Sequence, residues 1–165
     1  MTRLAFLAIL ALGLAASAAS AATFPIPSDD PIATVSIPKS WDPKTYDEGV
    51  EATSGDGAIY IAIEAVAAGD VKSATEEGLK FFIKSGVDLT MDSQKTKDTK
   101  INGLDAFDIS FIGKDKDGPA NISLTLVKTN AKSKFLMLYY WGSSDGEKAN
   151  ASDLKAISES IQATK

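Results

Sequence analysis

The stretch Leu104–Trp141 reads LDAFDISFIGKDKDGPANISLTLVKTNAKSKFLMLYYW, and its pattern predicts three consecutive β-strands. The predicted strands are Leu104–Ile112, Ala120–Lys128 and Lys134–Trp141, and short polar turns separate them. Connections this short favour antiparallel neighbours. The third strand is apolar almost throughout, which is typical of a strand covered on both faces. We therefore expect it at the centre of the sheet.

The sequence on either side of this meander predicts further strands and two helices. Additional strands are predicted at 32–37, 50–53, 58–67, 87–91 and 94–100. One helix begins at a capping box formed by Ser73 and Glu76 and ends before Gly86. After a predicted loop at 142–148, a second helix is capped by Asn150 and has an apolar stripe, Leu154, Ile157 and Ile161. The order of elements predicts an α+β fold, a mostly antiparallel β-sheet with helices packed on its faces.

The first residues are typical of a secretory signal. A short basic start precedes the apolar run Leu4–Leu14, and this run is shorter than the roughly 20 residues that a membrane-spanning helix needs. Small residues allow cleavage by a signal peptidase after Ala19, Ala21 or Ala22. We therefore expect residues 1–22 to be a signal peptide and the protein to be periplasmic or secreted.

The rest of the chain divides into an arm and one domain. Segment 23–31 contains three prolines, which block a helix and remove backbone donors, so we predict an extended N-terminal arm. Residues 32–165 have the length of a single α+β domain. Without a cysteine after the signal there is no lipid anchor, and we expect a monomer that is free in its compartment.

The composition excludes several classes of chemistry. The 165-residue chain has no histidine and no cysteine, which excludes histidine-based triads, thiolate nucleophiles, disulfides and zinc sites with nitrogen or sulfur ligands. Its only arginine is Arg3, inside the predicted signal, and the formal net charge of the whole chain is −5. Because affinity for phosphate backbones comes largely from lysine and arginine, we expect no nucleic-acid binding.

The remaining motifs do not predict a reaction. Two Ser-x-x-Lys matches, Ser36–Lys39 and Ser152–Lys155, lack the companion motifs of a serine-lysine hydrolase. The segment Asp115–Gly118 lacks the glycine and glutamate spacing of a calcium loop, so we interpret it as a charged hairpin turn. A hydrolase that uses two carboxylates stays formally open, but no motif identifies the pair. We expect no enzyme activity, no catalytic residues, no metal and no cofactor.

Four aromatic residues are the candidate binding residues. Trp41 and Tyr46 lie on either side of a proline-containing loop, and Tyr140 and Trp141 end the last predicted strand. Trp and Tyr are favoured at interfaces because one rigid ring is partly apolar and partly polar. We predict that Trp41, Tyr46, Tyr140 and Trp141 contribute to a binding surface. The alternative for the two tryptophans is packing in the core or at its rim.

Three segments resemble a known fold family. They are Ser36–Trp41 after the first strand, Ile101–Phe107 entering a hairpin and Leu154–Ile161 near the end of the chain. With a chain of this size, they look like the PsbP/Mog1-like family, which also contains periplasmic DcrB-like proteins. The resemblance implies an α/β/α sandwich and a non-enzymatic, partner-binding role, without specifying the partner. The missing lipid-attachment cysteine departs from the DcrB-like lipoproteins.

Two functions follow as hypotheses. The first is an exported, non-enzymatic protein that binds a protein or a cell-envelope component. The alternative is a protein that binds a small apolar ligand in a pocket between sheet and helix, which four phenylalanines could line: Phe81, Phe82, Phe111 and Phe135.

Overall fold

The computed structural model describes residues 20–67 and 71–164, which form eleven strands and three α-helices. The strands are β1 Ala21–Ile26, β2 Ala33–Pro38, β3 Lys44–Tyr46, β4 Gly49–Thr53, β5 Ile59–Ala67, β6 Asp88–Leu89, β7 Lys95–Ile101, β8 Leu104–Asp115, β9 Gly118–Lys128, β10 Lys134–Gly142 and β11 Gln162–Ala163. The helices are α1 Val71–Lys84, α2 Ser144–Ala149 and α3 Ala151–Ser160. Short 3-10 turns lie at Lys39–Trp41 and Met91–Ser93.

Two antiparallel sheets carry the fold. The large sheet has the strand order β3-β4-β5-β10-β9-β8-β6, and β7 also pairs with β8. The small sheet has the order β1-β2-β11. The predicted α+β class and the predicted meander are confirmed, because β8, β9 and β10 are consecutive antiparallel neighbours.

Strand β10 lies between β5 and β9, as its apolar sequence predicts. Its side chains alternate between two cores: Leu136 belongs to one and Met137 to the other, and both are fully buried. Burial of a large apolar side chain contributes about 1.5–3 kcal/mol relative to leaving it exposed. A strand that buries side chains on both faces therefore organises both cores at once.

Helix α1 covers one face of the large sheet, and α3 with the small sheet covers the other. On the α1 face, Phe82 and Leu124 are fully buried. Gly78 allows close approach there, since a Cβ atom on it would lie 2.7 Å from Cδ2 of Leu124. On the α3 face, Ile157 packs in the core that also contains Ile61. A helix on each face agrees with the predicted sandwich.

The first four residues of the predicted extended arm at 23–31 form part of a paired strand. They belong to β1, which pairs with β2 from Ala21 opposite Pro38 to Ile26 opposite Ala33. Proline is tolerated because β1 is an edge strand, where an absent donor leaves no neighbouring strand unpaired. Residues 1–19 of the predicted signal peptide lie outside the described residues.

Two helix boundaries differ from the prediction. Helix α1 begins at Val71, so the predicted capping box at Ser73 and Glu76 lies inside the helix. The predicted loop 142–148 is mostly α2, whose first turn is capped by Ser143: its Oγ accepts a hydrogen bond from the N–H of Gly146. No helix among the described residues is long and apolar enough to cross a membrane.

The predicted cap of the last helix is also different. Asn150 is the N-cap residue of α3, but its side chain makes no capping bond. Its Nδ2 instead donates to Oδ2 of Asp56, at 2.9 Å, and to the carbonyl oxygen of Gly146, at 3.0 Å. These bonds join the β4–β5 turn to the junction of α2 and α3.

Candidate binding surface

Aromatic and acidic side chains form a surface on the α1 face, at the end of the large sheet that carries β3, β4 and β5. Strand register places Tyr46 opposite Gly49, and Gly49 opposite Glu64. It also places Tyr60 opposite Trp141. We call Tyr46, Glu51, Tyr60, Glu64 and Trp141 the tyrosine–tryptophan surface.

The rings of Tyr60 and Trp141 are stacked on neighbouring strands. Their centroids are 3.9 Å apart and their planes differ by 18°. Phe81 of α1 packs beside them, with its centroid 6.3 Å from that of Trp141 and 4.8 Å from that of Tyr139. Aromatic pairs of this kind contribute about 0.5–1.5 kcal/mol beyond area burial, so these contacts favour the observed ring positions.

Tyrosine hydroxyls orient both glutamates of the surface. Tyr60 donates to Oε2 of Glu51 at 2.6 Å, and Tyr46 donates to Oε2 of Glu64 at 3.2 Å. Tyr139, which lies beneath the surface, donates to Oε1 of Glu64 at 2.5 Å. Gly49 lies between Tyr46 and Glu64 in the strand register, and a Cβ atom on it would lie 2.9 Å from that of Glu64.

The electrostatics of this surface keep the phenols protonated. Burial, followed by the hydrogen bond to Glu51, raises the pKa of Tyr60 above its usual range. Burial and the neighbouring Glu64 raise the pKa of Tyr46 and of Tyr139 in the same direction. Within 20–67 and 71–164, neither Glu51 nor Glu64 forms an ion pair with lysine. The surface therefore presents fixed aromatic rings and oriented acceptors.

The prediction of Trp41 as a surface residue is wrong. The side chain is 1% exposed and belongs to the core on the α3 face. Its Nε1–H donates to Oδ2 of Asp153 at 3.0 Å, which joins the 3-10 turn after β2 to α3. The apolar body of the indole is buried while its single donor is satisfied, so Trp41 is structural.

The other three predicted residues lie on two faces. Tyr46 is 37% exposed, and it shares the α1 face with the half-buried Trp141. Tyr140 points to the α3 face, where its hydroxyl donates to Oε1 of Glu147 at 2.8 Å. Tyr140 and Trp141 are separated because successive residues of a strand point to opposite sides of the sheet.

Sequence reasoning missed Tyr60, Glu51 and Glu64. A signal for them exists in the sequence: Tyr60 and Glu64 are an even number of residues apart on one predicted strand and so share a face. The residues opposite Tyr60 on β10 and opposite Glu64 on β4 depend on strand register, which cannot be read from the sequence.

The predicted apolar-ligand pocket has a counterpart of a different composition. A cavity of about 160 Å³ lies between the large sheet and α3, below the 300–1,000 Å³ of typical ligand sites. Its main lining is aliphatic: Ile61, Ile63, Leu138, Leu154, Ile157 and Ile161. None of the four predicted phenylalanines lines it. Phe81, Phe82 and Phe111 pack on the α1 face, and Phe135 lines a shallow groove with Phe107.

The part of the chain that the structure describes contains no group of three or more residues arranged to hold a metal ion. At the predicted charged turn, Oδ1 of Asp115 accepts hydrogen bonds from the N–H groups of Asp117, at 2.8 Å, and Gly118, at 3.1 Å. This is the arrangement of an aspartate that closes a hairpin turn.

No family model matches the sequence, and a search of curated proteins found no match. Solved structures are similar in fold. A crystal structure of a Bacteroides thetaiotaomicron protein aligns with a TM-score of 0.54 and 14% identity over 87% of this chain and 48% of the other, so the chain spans about half of that protein.

Two further structures match over most of both chains. Cyanobacterial PsbP from Synechocystis aligns with a TM-score of 0.54 and 12% identity, over 95% of this chain and 98% of that one. LpqN of Mycobacterium tuberculosis, described as involved in cell envelope biogenesis, aligns with a TM-score of 0.50 and 15% identity, over 88% and 92%. With the antiparallel sheet between helices, these alignments show that the chain has the PsbP-like fold that its sequence resembles.

Proposed function

We propose that this protein is an exported, non-enzymatic binding protein that contacts a protein or cell-envelope partner through the tyrosine–tryptophan surface. The observation that carries the proposal is the stacked pair of Tyr60 and Trp141 beside the exposed Tyr46. Fixed aromatic rings lose little conformational entropy when a partner binds, which is why Tyr and Trp dominate binding energy at interfaces.

The residue types of the chain support binding over catalysis. Without histidine and cysteine, the chemistry left to the chain is that of carboxylates, lysines and hydroxyls. The carboxylates of the surface are engaged by tyrosine hydroxyls, an arrangement that orients acceptors for a partner. The similarity to LpqN, described as involved in cell envelope biogenesis, agrees with an envelope role.

The test is quantitative capture from an envelope extract of the native organism. Wild-type protein and the variants Tyr46→Ala and Trp141→Ala are used as baits, and bound proteins are quantified by mass spectrometry. Phe107→Ala is the matched control, because Phe107 is another exposed aromatic on the α1 face, at 40% against 37% for Tyr46. Any candidate partner is then purified and titrated against all four baits.

We expect one partner to bind wild type and Phe107→Ala equally and to bind both surface variants at least about tenfold more weakly, the size of a residue worth 1.4 kcal/mol. Equal binding of the partner by all four folded proteins would show that the partner does not bind through the tyrosine–tryptophan surface. A purified partner that binds Phe107→Ala poorly and Trp141→Ala normally would move the interface to the other end of the α1 face.

A further inference from the structure

A polar groove crosses the opposite face of the large sheet. Register places Lys95 opposite Ser110, Ser110 opposite Ser123, and Ser123 opposite Tyr140, so four adjacent strands contribute one transverse row. These four side chains line a groove of about 390 Å³. That volume lies within the 300–1,000 Å³ of small-molecule sites. Neighbouring strands are about 4.8 Å apart, so the row is about 14 Å long.

Several polar groups in the groove have no partner in the part of the chain that the structure describes. Among residues 20–67 and 71–164, the hydroxyls of Ser110 and Ser123 make no hydrogen bond, and the ammonium group of Lys95 makes no ion pair. Both serines are only partly exposed. Each hydroxyl can donate once and accept twice, so the centre of the row offers donors and acceptors together.

The other end of the groove is held rigid by Glu147 of α2. Its Oε1 accepts from the Tyr140 hydroxyl at 2.8 Å, and its Oε2 accepts from Nδ2 of Asn121 at 2.9 Å. The same Nδ2 also reaches Ser144 Oγ at 3.4 Å, and among the described residues the amide oxygen of Asn121 accepts no hydrogen bond. Carboxylate, amide and phenol therefore keep fixed positions at this end.

The charges and apolar groups of the groove indicate what it can hold. Lys95 at one end and Glu147 at the other cancel, so no ionic ligand is favoured overall. Ile112 is 59% exposed at the rim and offers an apolar contact. A ligand that presents hydroxyl groups, no net charge and some C–H surface matches these groups, and this is the chemistry of a saccharide.

We propose that this groove binds an uncharged oligosaccharide, with Ser110, Ser123 and Asn121 as its central hydrogen-bonding groups. Glu147 orients Asn121 and Tyr140, and Ile112 contacts a C–H face of the sugar. The site lies on the α3 face and shares no residue with the tyrosine–tryptophan surface, so it stands independently of the proposed function.

The test is a nuclear magnetic resonance titration of ¹⁵N-labelled protein with maltotriose, cellotriose and tri-N-acetylchitotriose at millimolar concentration. We expect at least one sugar to cause saturable shifts centred on the amides of Ser110, Asn121, Ser123 and Tyr140. The double variant Ser110→Ala/Ser123→Ala should bind that sugar about tenfold more weakly, since two hydrogen bonds of roughly 0.5–1.5 kcal/mol each are lost. Ser133→Ala, an exposed serine outside the groove, should bind normally.

Three results would overturn the proposal. The first is that none of the three sugars produces saturable shifts in the folded protein. The second is that saturable shifts appear only on the α1 face. The third is unchanged affinity in the double serine variant. If the double variant folds poorly, Lys95→Ala is the second variant, since Lys95 is exposed on an edge strand. We expect Lys95→Ala to weaken sugar binding severalfold.

Discussion

The two tryptophans have opposite roles that composition alone does not separate. Trp41 is buried and donates to Asp153, whereas Trp141 is half-buried and stacked on Tyr60. Trp41 lies in a polar, proline-containing turn and Trp141 ends an apolar strand, so their local sequences favour the opposite of the observed burial. Burial of Trp41 depends on α3, which lies more than 100 residues later in the chain.

This difference predicts unequal stability effects of the two alanine variants. Trp41→Ala should lower the free energy of unfolding by about 3–5 kcal/mol, because it leaves a cavity in the core and removes the bond to Asp153. Trp141→Ala should lower the free energy of unfolding by less than half as much, because part of the Trp141 ring is already in water. Urea unfolding followed by circular dichroism measures both, and equal costs would contradict the assignment of Trp41 to the core.

The tyrosines predict a pH dependence at alkaline pH. The chain has four tyrosines, and burial together with neighbouring glutamates raises the pKa of each. Above about pH 10, the ordinary pKa of tyrosine, the unfolded chain releases protons that the folded protein retains. Stability should therefore be constant below that pH with respect to these groups and should fall as the pH rises above it.

Tyrosinate absorbance checks this prediction together with circular dichroism. We expect the absorbance to rise only as the protein unfolds, so that the two signals change together. Ionisation with a midpoint near 10 in a protein that stays folded would show that the phenols are not held by Glu51, Glu64 and Glu147.

At the scale of elements, alternating hydrophobicity predicts β8 and β9 well because each strand has a buried face. The almost continuous apolar sequence of β10 predicts its covered position. Strand β1 could not be predicted, since its prolines are unfavourable in most strands and only its edge position makes them acceptable. Helix α2 is six residues long and contains Gly146, so neither its length nor its composition resembles a helix.

The candidate binding surface was predictable only in part, because its contacts depend on how the strands pair. Tyr46 and Trp141 could be chosen as exposed aromatics, but the partners that fix them are brought by strand pairing. Tyr60 faces Trp141 only in the observed register of β5 and β10. A shift of one residue would place every side chain of the strand on the other face.

Strand β1 predicts where an exported protein would be cleaved. Its pairing begins at Ala21, and the carbonyl oxygen of Ser20 accepts a hydrogen bond from the N–H of Lys39 at 2.9 Å. Of the three candidate sites, cleavage after Ala19 keeps this whole pairing. We expect the intact mass of the exported protein to begin at Ser20, and a chain that begins at Thr23 would contradict the prediction.

The whole molecule has features that disfavour self-association. Among the described strands, β7 pairs only with β8, which leaves its other edge unpaired, and it carries three lysines, Lys95, Lys97 and Lys100. Lysine on an edge strand resists pairing with another chain. We propose that the protein is a monomer, and sedimentation equilibrium should give the monomer mass at micromolar concentration. A dimer that persists under those conditions would contradict this proposal.

A protein with this architecture can use both faces of one sheet. The α1 face presents the tyrosine–tryptophan surface, and the α3 face carries the polar groove beside α2. Because β10 contributes Trp141 to the first and Tyr140 to the second, consecutive residues of one strand belong to the two proposed sites. A partner and a saccharide could then be bound at the same time.

The most direct test of the partner-binding claim is site-specific photo-crosslinking in the native cell. A photo-reactive phenylalanine analogue is placed at position 46 or, as the control, at position 107. We expect one defined crosslinked species from position 46, absent from position 107 and strongly reduced when Trp141→Ala is combined with the probe. Equal crosslinking at both positions, or an unchanged yield in the Trp141→Ala background, would contradict it.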